Sequence, residues 1–181
     1  MRRQFNPAVA SALFAMQAFA TATTYPSVDA EQFEGLKAFE GTWVIDGKWA
    51  NGNPFKARQK FETLLGGKFV AVRTWSASGG AAEAERDFVV YGLDDQLKLV
   101  QWVYTPDGQV RQTTASRTED RSIQFDWTKT DAKGKTTELR TVINLTGVDT
   151  YRWRTQMHIK GEWHTLIDGE WKREQAADER R

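Results

Sequence analysis

The chain contains no cysteine among its 181 residues, which excludes disulfides, thiolate nucleophiles, zinc-thiolate sites and a lipoprotein thioether anchor. Histidine is nearly absent too, and metal or haem ligation would need His158 or His164. Strand periodicity sets His158 beside Met157 and His164 beside Trp163, so both imidazoles are expected to face solvent and no metal site or cofactor is expected. There is no Gly-x-Ser-x-Gly turn, and Gly79-Gly80 falls between strands rather than ahead of a helix, which removes the usual settings for a nucleophilic serine and a phosphate loop. Neither sign of charge is in excess. The net charge is +1, and without Arg2 and Arg3 it becomes −1, with 23 basic against 24 acidic residues. Nucleic-acid binding therefore has no electrostatic support. The apolar run from Ala8 to Ala20 is too short and too rich in alanine to span a bilayer, so no stable membrane insertion is expected.

That run does have another use. Arg2 and Arg3 precede it and Ala18-Phe19-Ala20 ends it, the layout of a signal peptide cleaved after Ala20 or Ala22. The protein is expected to be periplasmic or secreted. Arg2-Arg3-Gln4-Phe5 resembles a twin-arginine core without the preceding Ser or Thr, and the general and twin-arginine routes both stay open. The division is then a signal peptide over 1–22, a linker over 23–28, one domain over 29–175 and a disordered tail over 176–181.

What the chain has in quantity is tryptophan, eight in all, a residue suited to pleated, half-buried surfaces. A short helix opens the domain, with Asp29 as its cap, Gln32 three positions on, Phe33 and Leu36 on one face and Gly41 as its stop. After Gly41 the pattern alternates with period two. Phe55, Ala57, Gln59 and Phe61 face away from Lys56, Arg58, Lys60 and Glu62, and Ile123, Phe125 and Trp127 away from Ser122, Gln124 and Asp126. Thr105-Pro106-Asp107-Gly108 and Asp131-Ala132-Lys133-Gly134 are tight-turn sequences, with further reversals at Leu93-Asp94-Asp95, Glu119-Asp120 and Lys160-Gly161. Connections this short join antiparallel neighbours. About ten strands in such a meander leave two raw edges unless the sheet closes. The expected fold is all-β, a roughly ten-stranded antiparallel meander barrel with a short N-terminal helix, an open sandwich being the alternative. Between Phe69 and Tyr104 two registers are equally apolar, Val70-Val72-Thr74 against Phe69-Ala71-Trp75, and the inward face stays open.

Gly41-Thr42-Trp43, after a short helix and opening the first strand, resembles the Gly-x-Trp start of lipocalins and the wider calycin barrels. More of the chain is similar to the bacterial domain-of-unknown-function family numbered fifteen seventy-nine. That likeness runs through Leu36 to Trp43, Leu65-Gly66-Gly67-Lys68-Phe69-Val70, Tyr91-Gly92-Leu93-Asp94, Gln101-Trp102-Val103 with Pro106-Asp107-Gly108, and Trp171-Lys172-Arg173. It implies a calycin-like barrel and leaves function open. By the lipocalin resemblance Trp43 plugs one end of the barrel under the guanidinium of Arg173. Haem-carrying nitrobindin barrels are less similar, since Gly41 to Gly47 lacks their glycine-rich continuation and Tyr-Pro.

Closure would bring the inward sets Trp43, Ile45, Trp49 and Tyr151, Trp153, Met157 together, with Trp163 and Trp171 completing one aromatic wall. Arg73 and Arg86 share strand faces with aromatics and would serve as inward cations for a carboxylate-bearing ligand, an internal carboxylate or an outward placement being the alternatives. The expected ligand-binding set is Trp49, Arg73, Arg86, Trp153, Met157 and Trp163, with Trp43 and Arg173 structural. The acidic pairs Asp94-Asp95 and Asp168 with Glu170 read as turn and surface charge, and no catalytic residue is assigned. The leading expectation is a non-enzymatic barrel for a small apolar or amphipathic molecule. The alternatives are a filled structural or interaction module and a cofactorless isomerase or hydrolase using Asp or Glu.

Overall fold

The computed structural model describes residues 35–119 and 121–175. The expected signal peptide, linker and tail, the helix positions Asp29, Gln32 and Phe33, and Asp120 lie outside the described residues. Ten strands run in sequence: β1 (Gly41–Lys48), β2 (Pro54–Leu64), β3 (Phe69–Ser78), β4 (Ala84–Leu93), β5 (Leu99–Tyr104), β6 (Val110–Glu119), β7 (Ser122–Thr130), β8 (Thr136–Leu145), β9 (Thr150–Ile159) and β10 (Glu162–Arg173). Each pairs antiparallel with the next, and β1 pairs with β10, so the meander closes into a barrel. The ladder itself removes both edges, and the sandwich alternative falls away.

The turns that make this possible are those the side chains dictate. Asp94 Oδ1 accepts from the backbone N–H of Gln96 and of Lys98, both at 2.9 Å, and Asp131 Oδ1 does the same for Lys133 and Lys135. Each carboxylate thus closes its hairpin.

Closure rests on a thin seam. β1 meets β10 at Trp43–Arg173 and Val44–Lys172, and again at the isolated Trp49–Ile167 bridge. The register is the same at all three pairs, which sets Gly47 opposite Gly169. Ile45 Cδ1 lies 2.4 Å from where a Cβ on Gly169 would stand. The glycine lets Ile45 fill the wall at the seam.

A single turn of helix at residues 35–37 sends Leu36 and Phe39 into the end of the barrel. Trp43 is 0% exposed, donates from Nε1 to the Phe39 carbonyl at 2.6 Å, and packs edge-on against Tyr151 with ring centroids 4.9 Å apart. Tyr151 in turn stacks on Trp171 at 5.7 Å. Truncating an aromatic in such a plug costs about 3–5 kcal/mol. Arg173 lies over the Trp43 ring at 4.2 Å, donates to the carbonyls of Glu40 and Ala38 and pairs with Asp149 at 3.0 Å. The guanidinium fits there because Gly41 has φ 123° and no Cβ, a Cβ standing 2.7 Å from Arg173 Nη1.

The register also resolves the two apolar faces of the third to fifth strands. Val70, Val72 and Thr74 pair with Tyr91, Val89 and Asp87 and point inward, while Ala71 and Arg73 pair with Val90 and Phe88 and point outward. On the outer face Phe69 occupies the space above Gly92, beside Trp102. Strands carrying apolar side chains on both faces give an ambiguous period-two signal, and only the partner strand decides.

Candidate ligand-binding site

The inward side chains are not uniformly packed. On β1–β3 most are buried, among them Trp43, Ile45, Phe55, Phe61, Val70 and Val72. On β6–β9 several inward side chains keep part of their exposure: Arg111, Trp127, Ile143, Trp153 and Met157. Their inward direction follows from the ladder, in which Trp127 pairs with Leu139, Leu139 with Met157, and Ile143 with Trp153. An apolar side chain that faces the interior and still meets solvent borders a space rather than a solid core.

A polar chain crosses that interior. The Tyr151 hydroxyl donates to Gln59 Oε1, Gln59 Nε2 donates to Thr74 Oγ1 at 3.0 Å, and Thr74 stands opposite Asp87 in the ladder. Burial pushes the Asp87 carboxyl above the ordinary carboxylate range, against the lowering effects of Thr74 and of Arg111. Burial likewise raises the phenols of Tyr91 and Tyr151, so both stay neutral donors.

Arg111 stands close enough to Asp87 for each to feel the other's charge, yet burial still lowers its pKa. Its guanidinium lies over the Trp127 ring at 3.9 Å, and its Nε is buried without a hydrogen-bond partner. Among the described residues no carboxylate lies within ion-pair distance of it. The cation–π contact contributes on the order of 0.5–2 kcal/mol, whereas a buried donor left unpaired costs about 1–3 kcal/mol. The charge is held in place but not neutralised.

Of the residues expected to bind a ligand, Trp153 and Met157 line this interior. Trp49 is 39% exposed and packs tilted against Phe55 with ring centroids 4.9 Å apart. Arg86 is exposed at the bulge between Thr74 and Trp75, its Nε donating to Ser76 Oγ at 2.8 Å. Arg73 is placed on the outer face, paired with Glu85 at 2.9 Å and lying over Phe88, because its inward-facing neighbours are Val72 and Thr74. Trp163 is also outside, tilted against His158 at 5.0 Å and under Arg140 at 4.3 Å. The cause is a bulge between Thr165 and Ile167, which shifts the alternation by one. His164, paired with Met157, thereby comes onto the inward side of the strand while remaining exposed. His158 is on the outer face, its Nδ1 2.9 Å from Glu138. The aromatic wall forms from Trp43, Tyr151, Trp153 and Trp171, without Trp163. Asp168 is a surface ion-pair centre between Arg152 and Arg154.

The residues that sequence reading missed are Asp87, Arg111 and the Gln59–Thr74 link. Asp87 lies two positions from Val89 and four from Tyr91, and Arg111 two from Thr113; fixing the inward register would have exposed both charges.

The fold and site define a closed antiparallel barrel with an aromatic plug at one end and partly exposed inward side chains on β6–β9. No protein-family model matches the chain, and no curated protein matches it. Among solved structures, the chain is similar to EF1p2_mFAP2b bound to DFHBI, with 8% identity over 78% of this chain and 98% of that one and a TM-score of 0.44. It is similar to a fluorescence-activating beta barrel from de novo design, at 13% identity, 81% and 99% coverage and a TM-score of 0.42. A redesigned beta barrel follows at 9% identity, 78% and 96% coverage and a TM-score of 0.38. At these values nothing about a ligand passes to this chain, and the fold rests on its own ladder.

Proposed function

We propose that this protein is an exported, calycin-like barrel that holds one small amphipathic molecule inside, with its apolar part against the β6–β9 wall. The observation that carries the reading is the set of inward apolar side chains, Trp127, Trp153 and Met157, that remain partly open to solvent, with Trp127 under a guanidinium that has no ion-pair partner among the described residues. Apolar surface in that position gains by exchanging water for an apolar guest. A filled structural module fits the packing of β1–β3 but not this wall. Export belongs to the reading through the signal-like segment before residue 23, and membership of the family numbered fifteen seventy-nine through the glycine and aromatic motifs above.

The test is native mass spectrometry of the protein purified from the exported fraction, followed by titration of the stripped protein with the molecule found. Tryptophan emission is expected to shift and saturate at a single equivalent. Trp153→Arg, which places a bulky charge in the recess, is expected to weaken binding by about tenfold or more while the plug around Trp43 keeps the barrel folded. A protein that carries nothing and whose emission answers to no apolar probe would sink the reading.

A second reading has one observation in its favour. Asp87 is a carboxyl held toward its protonated form beside a cation, the setting of a general acid or base in a cofactorless isomerase or hydrolase. The fate of a bound carbonyl compound separates the two: recovered unchanged under binding, isomerised or cleaved under catalysis.

A further inference from the structure

We propose that Arg111 and Asp87 form a subsite for the carboxylate of that amphipathic molecule, its apolar body lying along Trp127, Trp153 and Met157. The inference rests on the binding reading above and adds to it the chemistry of the head group.

Arg111 is the starting point. Its guanidinium is fixed on the Trp127 face at 3.9 Å, and it makes no hydrogen bond or ion pair with any described residue, its Nε being sealed and unpartnered. Guanidinium groups inside proteins are paired as a rule. Exposed cations of this barrel obey that rule: Arg58 pairs with Glu83, Arg73 with Glu85, Arg140 with Asp126 and Arg152 with Asp168. The inward arginine is the exception among these, and what it lacks is a planar oxyanion that accepts from its terminal nitrogens.

Asp87 explains why the site accepts an acid rather than merely any anion. Its carboxyl faces inward opposite Thr74, which Gln59 links to Tyr151, so polar side chains back it along the neighbouring strands. Protonated, it offers one O–H to an incoming carboxylate that the guanidinium holds from the other side. The groups whose charge reaches it are Arg111 on β6, Glu85 on its own strand and Tyr91. Among these charges only Arg111 favours the ionised form. A carboxylate on Arg111 removes that support, so binding draws a proton onto Asp87 and the net charge of the recess is unchanged.

Chain-matched probes test this: decanoate, decanol and decylamine, each titrated into the stripped full-length mature protein and read by tryptophan emission. Decanoate is expected to bind at least about tenfold more tightly than decanol, and decylamine no better than decanol. Arg111→Met should bring decanoate down to the level of decanol and leave decanol unchanged, while Arg86→Gln at the exposed β3–β4 bulge alters neither. Calorimetry of decanoate in buffers of different ionisation enthalpy should show proton uptake, abolished by Asp87→Asn. Equal binding of decanoate and decanol to the unaltered protein overturns the subsite and leaves the barrel reading standing. No response to any of the three probes overturns both. Because the probe comparison uses the unaltered protein, it decides the matter even if Arg111→Met fails to fold.

Discussion

At the scale of single residues, Asp87 is the group whose surroundings depart most from what its type prefers. A carboxyl with a folded pKa above its unfolded value holds a proton that the unfolded chain has already released. Through that window the folded state binds more protons, so stability falls as pH rises, starting at the ordinary carboxylate value and levelling off above the raised one. Asp126 and Asp168 have the opposite sign, since arginines and neighbouring donors hold their carboxyls low, and their stabilisation is lost only on acidification below the ordinary range. Asp87→Asn keeps a side-chain acceptor for Thr74 and removes the titration. Unfolding by urea between about pH 4 and 7 should therefore show a downward slope in the unaltered protein that is missing in the variant. Parallel curves would place Asp87 in a more solvated setting. The contrast with Trp43 shows which residues a sequence reveals. Trp43 was legible because a local Gly-x-Trp signature and a distant Arg173 both pointed at one end of the barrel. Asp87 carries no signature of its own and is flanked by Phe88, so nothing local says which side it faces.

At the scale of strands, the clean alternators were legible and the bulged or doubly apolar ones were not. β2, β7 and β9 keep one dry and one wet face, and their inward residues were read correctly from Phe55 to Phe61, Ile123 to Trp127 and Tyr151 to Met157. β10 was misread because the bulge before Ile167 leaves no mark in composition, and one inserted position moved Trp163 out of the barrel. The same strand offers a sharp test of the seam. A Cβ on Gly169 would stand 2.4 Å from Ile45 Cδ1, an overlap of a kind that costs about 1–3 kcal/mol in a packed interior. Gly169→Ala is expected to destabilise by that amount. Ile45→Val, which deletes the offending methyl, should cost about 0.5–1.5 kcal/mol alone yet recover part of the loss in the double variant. A double-mutant cycle by thermal or urea unfolding measures the coupling, and simple additivity would mean that β1 and β10 part rather than pack at this level.

At the scale of the whole barrel, the interior divides into a packed side and an open one, and local stability should follow that division. Opening free energies rise with apolar contact and fall where backbone hydrogen bonds meet solvent. The amides near Trp43, Phe61, Val72, Tyr151 and Trp171 belong to strands joined by the plug and are expected to exchange slowest, at the rate of global unfolding. Those of the hairpin ends at Val110, Arg111 and Trp127 to Thr130 lie beside the recess and should exchange faster. The short seam at Ile45 to Lys48, where β1 makes no ladder pair with β10 between Val44 and Trp49, should open before the rest of β1. Adding a bound molecule then makes a discriminating change. A guest seated on Arg111 and Trp127 pins β6 and β7 to β4, so protection should rise around Asp87, Arg111 and Trp127 and stay constant at the plug. Hydrogen exchange followed by mass spectrometry or NMR, with and without guest, reads both patterns. Protection gained uniformly would mean that the guest stabilises only the global fold, and protection gained at Phe69 and Trp102 instead would put it on the outer face.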